Sequence, residues 1–192
     1  TFRFEDGDLT EAFRGTREGW VFDLTEDHDG NVWMAQPWRD SGRQSGVFRT
    51  DADSAVTVTD EDGLPFEIRD VFVAGNGDLW LVGVGGISRH NGERFQRFGK
   101  QDGFPLNDAK AVCQAPSGDL WFAHGGGAVT RLAAGKQPRP ETLTVFLGPP
   151  GVRWSSNDIY CSKSGHVWAA GRGGISRFDP QTQRWTYHTD HP

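Results

Sequence analysis

The chain has 192 residues, a net charge of −6 and 12% aromatic residues. This aromatic content is too high for a disordered chain, and the acidic balance argues against a nucleic-acid surface, which needs a dominant basic stripe. No apolar run approaches the roughly eighteen residues of a membrane-spanning helix. These properties predict one globular domain.

The first predicted element is a short strand, TFRFED at residues 1–6, which ends in an Asp-Gly turn. Its pattern matches the last strand of the units that follow, but the other strands of its own unit do not precede it. We therefore predict that residues 1–6 form an orphan outer strand of a preceding unit, in a segment of a longer protein.

Four copies of one motif follow, each with a glycine three residues before a tryptophan. Their anchors are Trp33, Trp80, Trp121 and Trp168, at intervals of 47, 41 and 47 residues. Self-similarity at a period in the forties is typical of stacked supersecondary units.

Within one copy, an apolar stretch (68–74) leads through an Asn-Gly turn into LWLVG (79–83), which predicts a β-hairpin. Two further short β-branched and aromatic runs follow, GISRHN (86–91) and RFQRFG (94–99). Four strands in about 40–45 residues match one blade of a β-propeller. We predict an all-β propeller segment of four four-stranded antiparallel blades plus the orphan strand, with blades at residues 20–60, 68–99, 108–148 and 156–189.

The order of these motifs resembles a known repeat. The strings GNGDLW (75–80) and GGISR (85–89), with DGLP (62–65) and DGFP (102–105) between blades, resemble the two-component regulator propeller repeat of bacterial sensor proteins. The resemblance implies a non-enzymatic ligand-sensing or protein-interaction module within a larger bacterial signalling protein. It implies a periplasmic place if that protein is a membrane sensor, and otherwise a cytoplasmic one.

Ring closure sets a further expectation. A seven-blade ring at about 45 residues per blade needs roughly 315 residues, which is more than this chain supplies. Open blade faces require a partner. We expect that partner to be the remaining blades of the protein or a second copy of it, with no nucleic acid and no direct membrane contact.

The channel mouth is the predicted binding site, because loops between strands two and three and loops between blades meet there. The insertion at 36–46 and the loop at 151–156 place tryptophan beside arginine, as in binding hot spots. The alternative is that Trp38 and Trp154 only plug their own loops. Nearby acids, Glu67, Asp70 and Asp108, make an anion preference a weak hypothesis. The predicted site residues are Trp20, Trp38, Arg39, Arg43, Arg69, Lys110, His124, Arg153, Trp154 and Arg172.

Two other functions stay open. A lyase- or hydrolase-type propeller enzyme would need a cluster of acid-base residues at the channel mouth, where the sequence offers His124 and scattered acids. A pure scaffold in a multidomain assembly would need no pocket. The string HGGG (124–127) matches an oxyanion-hole motif but lacks its G-x-S-x-G companion, so we predict a glycine turn, no catalytic residues and no metal or cofactor.

The turn DHDGN at 27–31 has the oxygen ligands of a calcium loop at alternate positions. The aligned turns begin with Ala74 and Ala115, so we predict that glycine is required there and that Asp27 and Asp29 are dispensable.

The two cysteines, Cys113 and Cys161, lie eight and seven residues before their tryptophans. This parity places their side chains on opposite faces of their blades, so we predict two buried free thiols and no disulfide.

Overall fold

The computed structural model describes residues 2–5, 8–11, 21–36, 46–50, 55–58, 63–147 and 155–188. In this part of the chain, the only helical segments are two short 3-10 helices, Lys100–Asp102 and Pro140–Thr142. No helix among these residues is long and apolar enough to span a membrane. The strands are β1 (Phe2–Glu5), β2 (Asp8–Glu11), β3 (Asp23–Glu26), β4 (Val32–Gln36), β5 (Gly46–Thr50), β6 (Ala55–Val58), β7 (Glu67–Val73), β8 (Leu79–Val84), β9 (Gly86–His90), β10 (Phe95–Phe98), β11 (Ala109–Gln114), β12 (Leu120–His124), β13 (Val129–Leu132), β14 (Leu143–Phe146), β15 (Ser155–Cys161), β16 (Val167–Arg172), β17 (Gly174–Asp179) and β18 (Arg184–His188).

Four antiparallel sheets of four strands follow one another along the chain. Blade 1 consists of β3–β6, blade 2 of β7–β10, blade 3 of β11–β14 and blade 4 of β15–β18, and within each blade the strands pair in chain order. The first strands of successive blades pack against each other, so the first strand is the innermost one. The predicted all-β propeller fold with four blades is confirmed.

The amino-terminal strand β1 is present and pairs with β2 in an antiparallel hairpin that the sequence analysis did not predict. The assignment of residues 1–6 to the outer edge of a preceding blade stays a prediction.

The anchoring tryptophans form the core between blades. Trp80 of blade 2 packs edge-on against Phe122 of blade 3, with ring centroids 5.6 Å apart. Trp121 of blade 3 packs on Phe178 of blade 4 with the rings tilted by 51° and the ring centroids 4.8 Å apart. Each of these two tryptophans therefore joins its own blade to the next one.

An arginine from the third strand accompanies each of these tryptophans, directly across the strand pair. Its guanidinium carbon lies 5.7–5.9 Å from the indole centroid, a distance within cation–π range. This repeated pair was not predicted from the sequence. Its members are Trp33 with Arg49, Trp80 with Arg89, Trp121 with Arg131 and Trp168 with Arg177.

The glycine three residues before each tryptophan has a backbone reason. Gly30, Gly77, Gly118 and Gly165 have φ angles of 84°, 86°, 86° and 87°. This left-handed conformation is strained for residues with a Cβ atom, so the tight turn between the first and second strands selects glycine in every copy.

The two cysteines form a disulfide, so the prediction of two free thiols is wrong. Cys113 and Cys161 are bonded, with Cα atoms 5.7 Å apart. Cys113 pairs across the sheet with Trp121, on the face of blade 3 that contacts blade 4, while Cys161 pairs with Val167, on the face of blade 4 that contacts blade 3. The predicted opposite faces are correct, but opposite faces of consecutive blades are the two that meet.

Asp27 has a structural role that corrects its predicted dispensability. Its carboxylate accepts hydrogen bonds from the amides of Asp29 and Asn31, from the Asn31 side chain and from Trp33 Nε1, the last at 2.8 Å. Burial raises the pKa of Asp27, but these hydrogen bonds outweigh that effect and leave the pKa below its usual value. The carboxylate therefore holds the turn and the indole in place.

Candidate functional site

The channel mouth is described in part. Of the predicted site residues, Arg69, Lys110, His124 and Arg172 lie within the described residues. The others lie outside them, and their placement at the mouth stays a prediction: Trp20, Trp38, Arg39, Arg43, Arg153 and Trp154.

A β-bulge in the inner strand positions the two cations nearest the channel. The register shifts between Ile68 and Asp70 in blade 2, and it shifts at the same point of blades 3 and 4. The extra residues are Arg69, Lys110 and Asn157. Bulges re-aim side chains and are common beside functional sites, and the bulge recurs at the aligned position of three inner strands.

Both cations are paired by acids. Arg69 contacts Glu67 at 3.2 Å and Asp108 at 3.0 Å, and Asp108 also contacts Lys110 Nζ at 3.4 Å. Asp108 therefore bridges blades 2 and 3. Because Arg69 and Lys110 are already neutralised, neither supplies a free positive charge to a ligand.

His124 is completely buried. Its Nδ1 lies 3.2 Å from the carbonyl oxygen of Asp108, and its Nε2 lies 3.0 Å from Thr130 Oγ1. Burial lowers the pKa of His124 to about 4, against the opposing effect of the Asp108 carbonyl, so the ring is neutral at pH 7. A carbonyl can only accept, so Nδ1 donates to it and Nε2 accepts from the Thr130 hydroxyl. Both ring nitrogens are therefore occupied by hydrogen bonds within blade 3.

Two other blades have glycine at the position of His124. Gly83 and Gly171 occupy its position in blades 2 and 4, where a Cβ atom would collide with the carbonyl oxygens of Glu67 and Ser155. The sequence prediction that HGGG is a turn fits this position, because Gly127 donates a hydrogen bond to the carbonyl of His124.

Arg172 ends β16 and is exposed. Its backbone amide donates to Ser155 Oγ at 3.2 Å. No described carboxylate pairs with its guanidinium, so among the described residues of the mouth it is a cation available to a ligand.

Aspartates of the inner strands link successive blades. Asp23 Oδ2 of blade 1 accepts a hydrogen bond from the amide of Val71 in blade 2 at 3.0 Å. Asp70 Oδ2 of blade 2 accepts one from Val112 of blade 3 at 2.7 Å. These residues lie ten positions before their tryptophans, a signal that the sequence analysis missed.

Blade 3 breaks this pattern. Ala111 stands at the aligned position, and its side chain has no acceptor for an amide of blade 4. Asp158, the aligned residue of blade 4, instead accepts from the next amide of its own strand, Ile159, at 2.8 Å. Between blades 3 and 4, the disulfide takes the place of this aspartate-to-amide hydrogen bond.

Asp70 is the most strongly perturbed acid at the mouth. Burial, a hydrogen bond to Asp23 and the charges of Asp23 and Asp158 raise the pKa of Asp70 to about 8, although the Val112 amide opposes this. A protonated Asp70 can donate to Asp23 while still accepting from Val112, so one proton satisfies both carboxyl groups.

We expect Asp70→Asn to raise stability at neutral and basic pH. The native state holds the Asp70 proton more tightly than the unfolded chain, so stability falls as pH rises from about 4 to about 8. Asparagine keeps an acceptor for Val112 and a donor for Asp23 without titrating. The variant should melt at least about 3 °C above the wild type at pH 8, the shift for about 1 kcal/mol in a chain of this size, and at the same temperature at pH 4.

Glu93→Gln is the matched control, because its side chain is exposed in the same blade and its charge is not among the causes of the raised pKa of Asp70. Thermal unfolding at pH 4, 6 and 8 should show a gap that widens with pH for Asp70→Asn and not for Glu93→Gln. A gap of constant size, or a less stable Asp70→Asn protein at pH 8, would contradict a shared proton.

Among the described residues, no group of three or more histidine, cysteine, aspartate or glutamate side chains is placed to hold a metal ion.

The sequence matches no known protein family. It is also not significantly similar to any curated protein. Solved structures, in contrast, are similar in fold. Virginiamycin B lyase from Staphylococcus aureus aligns with a TM-score of 0.73 and 16% identity, over 100% of this chain and 63% of that protein. A catalytically inactive form of that enzyme, solved with quinupristin, aligns with a TM-score of 0.74.

Two other structures have different functions. The extracellular domain of BT4673 from B. thetaiotaomicron, assigned to one-component or hybrid two-component systems, aligns with a TM-score of 0.68 and 20% identity, over 91% of this chain and 26% of that one. A gluconolactonase from Xanthomonas campestris aligns with a TM-score of 0.62 and 16% identity, over 87% of this chain and 61% of that one. At these identities the likeness shows the propeller fold alone. This chain spans less than two thirds of the length of each of these proteins.

Proposed function

We propose that this chain is a non-enzymatic ligand-sensing or protein-interaction propeller module that works within a larger bacterial signalling protein. The observation that carries the proposal is the exposure of two blade faces whose aligned residues are buried in the other blades.

The first exposed face is the side of blade 4 that faces away from blade 3, called the outer face of blade 4 below. Ile175 is 47% exposed, whereas the aligned Ile87 of blade 2 is 1% exposed under blade 3. Tyr160, on the same face, is 61% exposed. A further blade would cover this face as blade 3 covers blade 2.

The second exposed face belongs to blade 1 and corresponds to the face by which blades 2, 3 and 4 contact the preceding blade. Leu24 is 63% exposed, whereas the aligned residues Val71, Val112 and Ile159 are buried against the preceding blade. Two apolar faces of this kind support additional blades, from the rest of the protein or from a second copy.

Recognition fits the channel mouth. Arg172 is exposed, and the inner strands of blades 2, 3 and 4 each have a bulge at the aligned position. The resemblance of the motif order to the two-component regulator propeller repeat supports a sensory role. The unknown ligand or protein partner would bind at this mouth, with Trp38, Trp154 and the arginines beside them as the proposed hot spots.

The disulfide supports a place outside the cytoplasm. Cys113 and Cys161 are bonded, and disulfides persist in the periplasm or outside the cell, whereas cytosolic thiols are kept reduced. This agrees with the periplasmic alternative for a membrane sensor.

The enzyme alternative has a direct test. Both nitrogens of His124 are engaged in packing, which argues against a role as general base or metal ligand. We expect the protein to leave quinupristin and gluconolactone unconsumed beyond the uncatalysed rate, as followed by liquid chromatography. Catalysed loss of either compound, absent after Arg172→Ala at the mouth, would overturn the non-enzymatic proposal in favour of a propeller enzyme.

A further inference from the structure

A cleft separates blades 2 and 3 at their outer rim. The connection between β13 and β14, residues 133–142, lies against the end of blade 2, where Pro140 closely approaches Gly103. Between this connection and β10 lies a cavity of about 360 Å³, a size typical of small-molecule sites. Phe98 and Pro138 are buried beneath it.

The lining of this cleft is positively charged in a chain whose net charge is −6. Arg94 and Arg139 are exposed there, and neither has a carboxylate partner among the described residues. The one acid of the lining, Asp102, accepts a hydrogen bond from the amide of Gly99 at 2.8 Å and so holds its own turn. The two guanidinium groups are therefore available to an anion.

A second cavity of about 180 Å³ adjoins the first and shares Arg89 and Gln137 with it. Trp80 lines it, and the buried Trp80 Nε1 has no hydrogen-bond partner. In blade 1 the aligned Trp33 Nε1 donates to Asp27, but Ala74 stands at that position in blade 2. The Nε1 of Trp121 in blade 3 also has no hydrogen-bond partner. An unpaired indole nitrogen is therefore not by itself evidence of a ligand site, and that of Trp80 is relevant because Trp80 lines the cavity beside the charged cleft.

We propose that this cleft binds a small hydroxylated oxyanion, a carboxylate or a phosphate. Arg94 and Arg139 hold the anionic group, since guanidinium matches the geometry of both oxyanions. The side-chain amides of Gln96 and Gln137, which also line the cavity, bind the hydroxyl groups. The site lies at the outer rim, so it is separate from the proposed recognition surface at the channel mouth.

The test is isothermal titration calorimetry with four probes: citrate, glucose 6-phosphate, inorganic phosphate and neutral glucose. We expect saturable binding of citrate or glucose 6-phosphate with a Kd of about 1 mM or tighter, weaker binding of phosphate, and none of glucose. Citrate alone would assign a carboxylate ligand, and glucose 6-phosphate alone a phosphate ligand.

Arg94→Gln combined with Arg139→Gln should weaken this binding at least about tenfold, because each substitution removes a charge-assisted hydrogen bond. Both positions are exposed, so the variant should keep the wild-type melting temperature. Arg184→Gln, an exposed arginine on the outer strand of blade 4, is the matched control and should bind as the wild type does. Three results would overturn the proposal. The first is no saturable binding of any anionic probe at 10 mM, about ten times the expected Kd. The others are phosphate binding as tight as that of glucose 6-phosphate, and binding that survives the double substitution.

Discussion

Replacing Trp80 with alanine should lower the free energy of unfolding by about 3–5 kcal/mol. Trp80 is 2% exposed and packs on Phe98 of its own blade and Phe122 of the next. Its indole nitrogen makes no hydrogen bond, so the loss comes from packing and from the contact with Arg89. Urea unfolding followed by circular dichroism measures the effect.

The matched control is Trp168→Ala, at the aligned position of blade 4. Trp168 keeps its arginine neighbour, but it is only half-buried because no blade covers its face. We expect less than half of the loss found for Trp80→Ala. Equal losses would mean that the outer face of blade 4 is covered, contrary to the exposure of Ile175.

Removing the disulfide is the second large expected effect. The bond between Cys113 and Cys161 closes a loop across 48 residues, and loss of such a cross-link costs about 2–5 kcal/mol. The variant Cys113→Ala with Cys161→Ala should therefore unfold at a clearly lower urea concentration than the wild type.

Reduction provides the control for this prediction. Dithiothreitol should shift the wild-type midpoint down to that of the double variant and leave the variant itself unchanged. Two free thiols in the unfolded, unreduced protein, or a midpoint insensitive to dithiothreitol, would contradict the disulfide.

Features set by local geometry could be predicted from the sequence. Gly77 and its three counterparts are required by the left-handed turn, and the run from Leu79 to Val82 is apolar because blades cover both of its faces. The period of these features was enough to find the four blades.

Features that depend on neighbouring blades were predicted less well. The opposite faces of Cys113 and Cys161 were correctly assigned, but joining them requires knowing that these faces meet. The buried position of His124 was hidden as well, because its aligned residues are glycines with no side chain to compare. The acid ten residues before the tryptophan was visible in Asp23, Asp70 and Asp158, and alignment of the inner strands would have found it.

The central claim is that these four blades belong to a larger propeller, with the faces marked by Leu24 and by Ile175 covered by further blades. Sedimentation equilibrium of the 192-residue chain, from about 1 to 100 μM, tests this claim, because exposed apolar blade faces should cause the isolated chain to self-associate. The account predicts an average mass above the monomer value of 21.2 kDa that rises with concentration and returns toward the monomer value in an Ile175→Glu variant of unchanged stability. A mass of one monomer at every concentration, with a single reversible unfolding transition, would contradict it.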